Sequence, residues 1–176
     1  LDSPTNNFAV WNVLARDTQI DLLEGNLETS SGGTDAGGII STFAQSSGKW
    51  YWEVLGISGT AALSVGIADL PLSAYNENQA GTYLYLSSGS KRISPSTTSS
   101  YGASFTDGDI IGVALDMDAG SVTFYKNGVS QGTAFTGLSG TFAAFIQDGS
   151  NSTALNSCTN FGQDSSFAGN KTAQGN

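Results

Sequence analysis

The stretch from Tyr101 to Phe135, YGASFTDGDIIGVALDMDAGSVTFYKNGVSQGTAF, constrains the fold more than any other part of the chain. From Ile110 onward, Ile111, Val113, Leu115 and Met117 fall on one face, with Gly112, Ala114 and Asp116 opposite. A period of two marks a strand with one packed face. Asp118-Ala119-Gly120 tolerates turn geometry, and the alternation resumes with Val122 and Phe124 against Thr123 and Tyr125. Asn127-Gly128 is a strong short hairpin signal, because both residue types accept the positive φ of a type I′ turn. Val129 to Thr133 is expected to return as a third antiparallel strand.

Further short strands are expected on both sides of this block. GKWYWEVLGI over 48–57 places Trp50, Trp52 and Val54 on one face and Tyr51, Glu53 and Leu55 on the other. Both faces are partly apolar, as in a strand at the middle of a layered fold. Thr18–Leu23, Asn26–Thr29, Ile39–Ala44, Ala62–Ala68, Tyr83–Leu86, Arg92–Ile93, the segment from Gly140 through Ile146, and Thr159–Phe161 complete the set. The connections 69–81, 94–100 and 147–156 are expected to be loops. Residues 1–17 are expected to be an entry segment docked through Phe8, Val10 and Trp11, and residues 168–176 a flexible tail. Twenty-three Gly and many Ser, Thr and Asn imply frequent turns, and no amphipathic helix appears. The expectation is an all-β fold, a twisted antiparallel β-sandwich, in one domain over 1–176. Trp50, Trp52, Phe124, Phe142 and Phe145 are expected to be core, leaving only peripheral connections to touch a ligand. A chain that starts on Leu1 is expected to be a piece of a longer polypeptide.

Charge and residue types narrow the chemistry. The net charge of −9 repels phosphate backbones and anionic lipid, so neither nucleic-acid binding nor membrane insertion is expected. The chain has no His, which excludes Ser-His-Asp and Cys-His nucleophile systems and His-containing zinc sites. Cys158 is the lone cysteine and reads as a small buried thiol. A glycosidase needs two carboxylates across one cleft, and the central strand carries only Glu53. Asp109, Asp116 and Asp118 read as turn-stabilising groups, and the run from Asp116 lacks the other ligands of a calcium loop. No catalytic residue, cofactor or metal is therefore expected. Asn151-Ser152-Thr153 and Asn170-Lys171-Thr172 match glycosylation sequons.

Four ordered stretches resemble SPRY (B30.2-like) domains: GKWYWEV over 48–54, VGIA over 65–68, the Tyr101–Phe135 block, and Asn160-Phe161-Gly162 with Phe167. The resemblance implies a concanavalin A-like jelly-roll sandwich and a non-catalytic recognition role. In members that bind short peptides, a Tyr after the VG-x-A strand and a second loop contribute. The matching positions are Tyr75 and the Gln147-Asp148-Gly149 loop. Two features depart from those members: TYLYL over 82–86 stands where a Trp-rich stretch is expected, and Gln147-Asp148 stands where an aromatic is expected. The opening LDSPTNNF and the Ser/Thr/Gly-rich character further resemble SPRY modules of bacteriophage tail-associated proteins.

The functional expectation is a recognition or structural module of a virion protein, such as a phage tail, fibre or capsid-surface protein. Its ligand would be a host-surface glycan or protein, or a neighbouring virion subunit. The candidate contact residues are Tyr75, Asn76, Asn78, Gln147, Asp148, Gly149 and Asn151, on loops at one end of the sandwich. Tyr83, Tyr85 and Tyr101 are further aromatic candidates, for which packing is the leading role. The alternatives are an architectural domain without a free ligand, a lectin-fold glycoside hydrolase, and a cellular SPRY adaptor. The expected location is a virion surface or the extracellular space, with the cytoplasm as the alternative.

Overall fold

The computed structural model describes residues 7–33, 36–76, 79–95, 97–149 and 152–172. Its strands are β1 (Trp11–Arg16), β2 (Ile20–Leu23), β3 (Glu28–Ser31), β4 (Gly37–Gln45), β5 (Lys49–Ser58), β6 (Leu63–Asp69), β7 (Thr82–Leu86) and β8 (Ser90–Ile93). They continue with β9 (Thr97–Ser100), β10 (Ile110–Asp116), β11 (Ser121–Lys126), β12 (Val129–Thr136), β13 (Phe142–Asp148) and β14 (Asn156–Asn160). Sheet A has the order β1-β4-β13-β6-β7-β8-β9, and sheet B the order β12-β11-β10-β5-β14-β3-β2. All pairings are antiparallel.

The organising hairpins form as their alternation requires. Val113 sits opposite Phe124 on one side and Trp52 on the other. Asn127 and Gly128 take φ values of 49° and 78°, the left-handed pair of a type I′ turn. Inward residues of sheet B, including Val54, Ile111, Val113 and Phe124, meet Ile39, Val65, Ile67, Tyr85, Phe142 and Ile146 of sheet A in one cluster. Each large apolar side chain buried there contributes about 1.5–3 kcal/mol. Tyr83 and Tyr101 pack against this cluster and Tyr85 is buried in it, so all three serve packing.

Both sheets are also covered on their outer faces. On sheet A, Leu70, Leu72 and Tyr75, which follow β6, pack on Ile40, Ala68, Leu84, Ala143 and Phe145. This cover explains why every residue of β13 is buried. On sheet B, Phe167 inserts beside Leu55 and Cys158.

Three expectations are corrected here. Residues 11–16 form an edge strand and not merely an entry segment. Its alternation is hidden by a register shift between Trp11 and Arg16, where the Leu14 amide donates to Asn12 Oδ1. Residues 97–100 form β9 and not a loop; TTSS carries no apolar signal. Residues 168–172, expected to be flexible, are tied down. Asp164 accepts from the Ala168 amide at 2.7 Å, and Lys171 Nζ donates to the Gly108 carbonyl at 2.8 Å. Residues 173–176 lie outside the described residues.

Candidate functional site

The expected contact residues divide into a joined group and a buried pair. Tyr75 and Asn76 lie alongside the start of β4: the Gly38 amide donates to the Tyr75 carbonyl at 2.6 Å, and Gly37 bridges Asn76. On the other side of β4, Gly37 pairs with Asp148 and Gly38 with Gln147. Glycine is needed at this crossing, because a Cβ on Gly38 would come within 2.4 Å of the Phe145 ring. Asn76 and Gly149 are exposed and Tyr75 is half-buried. Asn78 and Asn151 lie outside the described residues.

Gln147 and Asp148 overturn the expectation of a surface loop. They close β13, and each is only 1% exposed. Asp148 points between the sheets and accepts from the Ser31 hydroxyl of β3. Gln147 points outward under cover and accepts from Arg92 of β8 at 3.0 Å. A charged and an amide side chain at a strand end mimic a polar loop in sequence. Here they are internal struts. Nor do the three expected loops converge. Gly149 bonds Ala62 at the start of β6, whereas the Ser94 amide bonds Thr82, which pairs with Ala68 near the other end of β6.

Next to Gly149 lies a shallow bowl of about 520 Å³, lined by Thr60, Ser87, Ser88, Ser104, Thr106 and Asp107 together with Gly59, Ala61 and Phe105. Asp107 accepts from the Thr60 amide at 2.9 Å, and contact with Thr60 holds its carboxyl below the ordinary value. Among the bowl residues the sequence marks only Asp107, as a turn residue and not as a contact group; Ser and Thr in turns carry no chemical signature.

The opposite end of β13 opens a different feature. Between the sheets, a groove of about 300 Å³ is lined by Phe8, Phe43, Trp50, Trp52, Phe142 and Phe161 with their neighbours. Trp50 is 43% exposed and Phe43 44%. Trp50 was expected to be core, and the aromatic rings of the central strands were expected to be hidden. Both expectations fail at this mouth. Trp50 does share the inward face with Trp52, but it is the second residue of β5, at the strand's end, and stays partly exposed.

Three further carboxylates accept hydrogen bonds within the fold. Asp109 accepts from the Thr106 amide at 2.8 Å and Asn127 Nδ2 at 2.7 Å. Asp116 accepts from the Ala119 amide and from Lys49. Glu53 accepts from the Tyr51 hydroxyl at 2.9 Å. Burial pushes the Cys158 thiol up to about 12, which removes the thiolate needed for chemistry. Among the described residues, no three His, Cys, Asp or Glu are grouped to hold a metal.

Two seven-stranded antiparallel sheets, closed face to face and offering contact groups at their ends and outer cover, define a β-sandwich of the binding-module class. The family profile described as SPRY domain matches residues 49–164. The chain belongs to the SPRY domain family. SPRY domains are protein-interaction modules and are generally non-catalytic.

Among curated relatives, the chain is 36% identical over 100 residues to the E3 ubiquitin-protein ligase RKP of Arabidopsis thaliana, covering 52% of this chain and 7% of the ligase. It is 32% identical over 97 residues to the dual specificity protein kinase splA of Dictyostelium discoideum, covering 53% of this chain and 4% of the kinase. The match thus spans less than a tenth of either relative's length. Among solved structures, the SPRY domain of human HERC1 superposes with a TM-score of 0.76 at 21% identity, covering 88% of this chain and 99% of that one. The stonustoxin structure gives 0.65 at 16% identity, covering 88% of this chain and 27% of that one. These two likenesses speak to the fold.

Proposed function

We propose that this chain is the partner-selecting module of a larger protein and that it binds a protein segment. The contact surface runs from Tyr75 and Asn76, over the start of β4, to Gly149 and the bowl beside it. The observation that carries this reading is the docking of the Tyr75–Asn76 backbone on Gly37 and Gly38. It holds an exposed amide and a half-buried phenol in place before any ligand arrives, which lowers the entropy cost of binding. Arg92 and Gln147 brace the surface from below. The small share of the ligase and kinase that the matching segment occupies supports a module within a larger chain. On this reading the setting is cytoplasmic.

A second reading takes a host-surface glycan or a neighbouring virion subunit as ligand and places the module on a phage tail, fibre or capsid surface. The hydroxyl-lined bowl favours it, as does a surface poor in charge, with 12% charged residues. The named relatives are from Arabidopsis, Dictyostelium and human and lend the virion setting no support. A purely architectural domain would present the same surface and bind nothing.

The test is selection of binders for the 176-residue chain from a displayed dodecapeptide library, in parallel with a glycan array. The affinity of the best ligand is then measured for Tyr75→Ala and Asn76→Ala. The account expects a peptide ligand and a loss of about tenfold for each substitution, close to 1.4 kcal/mol. Unchanged affinity in both overturns the surface assignment. A glycan ligand alone overturns the protein-segment reading, and the absence of any ligand leaves the architectural one.

A further inference from the structure

We propose that the groove at the Phe142 end of the sandwich is a second binding site, and that its occupant is an extended peptide segment carrying a bulky apolar side chain beside Lys or Arg. This site is separate from the surface near Gly149. The seven residues of β13 lie between them, a strand length of roughly 20 Å.

Three observations point the same way. First, the groove exposes large rings that a closed sandwich would cover: Phe43 and Trp50 stand at its mouth, with Phe142 and Phe161 along it. Its volume of about 300 Å³ lies at the small end of ligand pockets, roughly 300–1,000 Å³, and suits one large side chain and its backbone. Second, the walls of the groove are apolar rings and engaged hydroxyls: Trp52 lines it with only 6% of its surface exposed. The hydroxyl residues of its lining are both engaged: Ser41 donates to the Phe43 carbonyl at 2.7 Å and accepts from the Ala144 amide at 3.1 Å, and Tyr51 donates to Glu53 at 2.9 Å. The groove therefore offers mainly apolar faces, with Asn7 and Gln45 as its amide side chains, which suits a bulky apolar side chain and the backbone beside it.

Third, the charge at the mouth is negative. Asp118 accepts from the Gly48 amide at 2.8 Å, and a Cβ on Gly48 would lie 3.4 Å from Trp50 Nε1. The Asp118 carboxylate is thus beside the exposed indole. Lys49 pairs with Asp116 at 2.5 Å and also feels the Asp118 charge, so two carboxylates face one cation at this mouth. With a net charge of −9 on the chain, the long-range field also draws cations.

The test uses fluorescein-labelled octapeptides of alternating leucine and arginine, leucine and glutamate, or serine and arginine, read by anisotropy against the 176-residue chain. Chitohexaose is titrated in parallel. The leucine–arginine peptide should bind at least tenfold more tightly than either other peptide and than chitohexaose. Trp50→Ala and Phe43→Ser should each weaken it about tenfold. Asp118→Asn should weaken it and flatten its salt dependence. Tyr75→Ala should leave it unchanged, which separates failure of this site from failure of the surface near Gly149. Equal binding of the glutamate peptide, tighter binding of chitohexaose, or indifference to both Trp50→Ala and Phe43→Ser overturns the proposal. Circular dichroism of each variant establishes that a loss of binding is not a loss of fold.

Discussion

The indole Nε1 of Trp11 donates to the hydroxyl of Thr159 at 3.2 Å, joining β1 of sheet A to β14 of sheet B through the buried interior. The two residues are 148 positions apart, and Trp11 also meets Phe161 edge to face, with ring centroids 5.3 Å apart. The contact closes the side of the sandwich where the first and last strands meet. Thr159→Val keeps the shape and strands a buried N–H, so it should cost about 1–3 kcal/mol. Trp11→Ala should cost about 3–5 kcal/mol by opening a cavity. Urea denaturation of the two variants measures both, and a Thr159→Val protein as stable as its parent contradicts the strut.

Asp148 presents the same question in a residue whose sequence context suggested binding. It is buried and accepts from the Ser31 hydroxyl, whose oxygen in turn accepts from the Leu155 amide at 3.1 Å. Asp148→Ala should therefore lower the urea midpoint, with a loss of about 1–3 kcal/mol. The affinity of any ligand selected at Tyr75 should change far less. A variant of unchanged stability and lost affinity contradicts the structural role.

Acid should destabilise the fold through its capping carboxylates. The Ser166 hydroxyl, followed by the Ala168 and Ser166 amides, holds Asp164 below its ordinary value of 3.8, and contact with Thr60 does the same for Asp107. A depressed folded value means the stabilisation is fully present above 3.8 and is lost as pH falls through the lower folded values. Urea midpoints measured from neutral pH downward should be level above about pH 5 and fall below about pH 4. Asp164→Asn should flatten that fall. A midpoint that holds to the acid end contradicts the assignment.

Cys158 should be silent while the protein is folded. It is buried beside Leu55 and Phe167, and its thiol is pushed up to about 12. Iodoacetamide at pH 8 should leave the native chain unmodified by mass spectrometry and add one group after unfolding in urea. Rapid native alkylation contradicts the burial of the outer face by the 162–172 segment.

What the sequence made legible follows a physical divide. Strands whose packing is one-sided announced themselves: β10 and β11 alternate, and Asn127-Gly128 has the composition its positive φ values require. Strands that break the period did not. A register shift masks β1, β9 is wholly Ser and Thr, and the polar end of β13 carries Gln147 and Asp148 into the interior. The depth of a residue along its strand is also invisible to alternation. Trp50 and Trp52 share a face, yet one is covered and the other stands at an open mouth. The family resemblance located Tyr75 and the residues across β4 from it. It could not separate the exposed Asn76 and Gly149 from the buried pair between them, because that depends on Arg92 and Ser31, which are distant in sequence.

The most direct test of the account is amide shift mapping of the ¹⁵N-labelled chain against the peptide ligand selected from the dodecapeptide library. The account predicts the largest shifts at Asn76, Gly149 and Ser88, with the Trp50 indole signal unmoved. Shifts confined to other surfaces, with Asn76 and Gly149 unaffected, would contradict it.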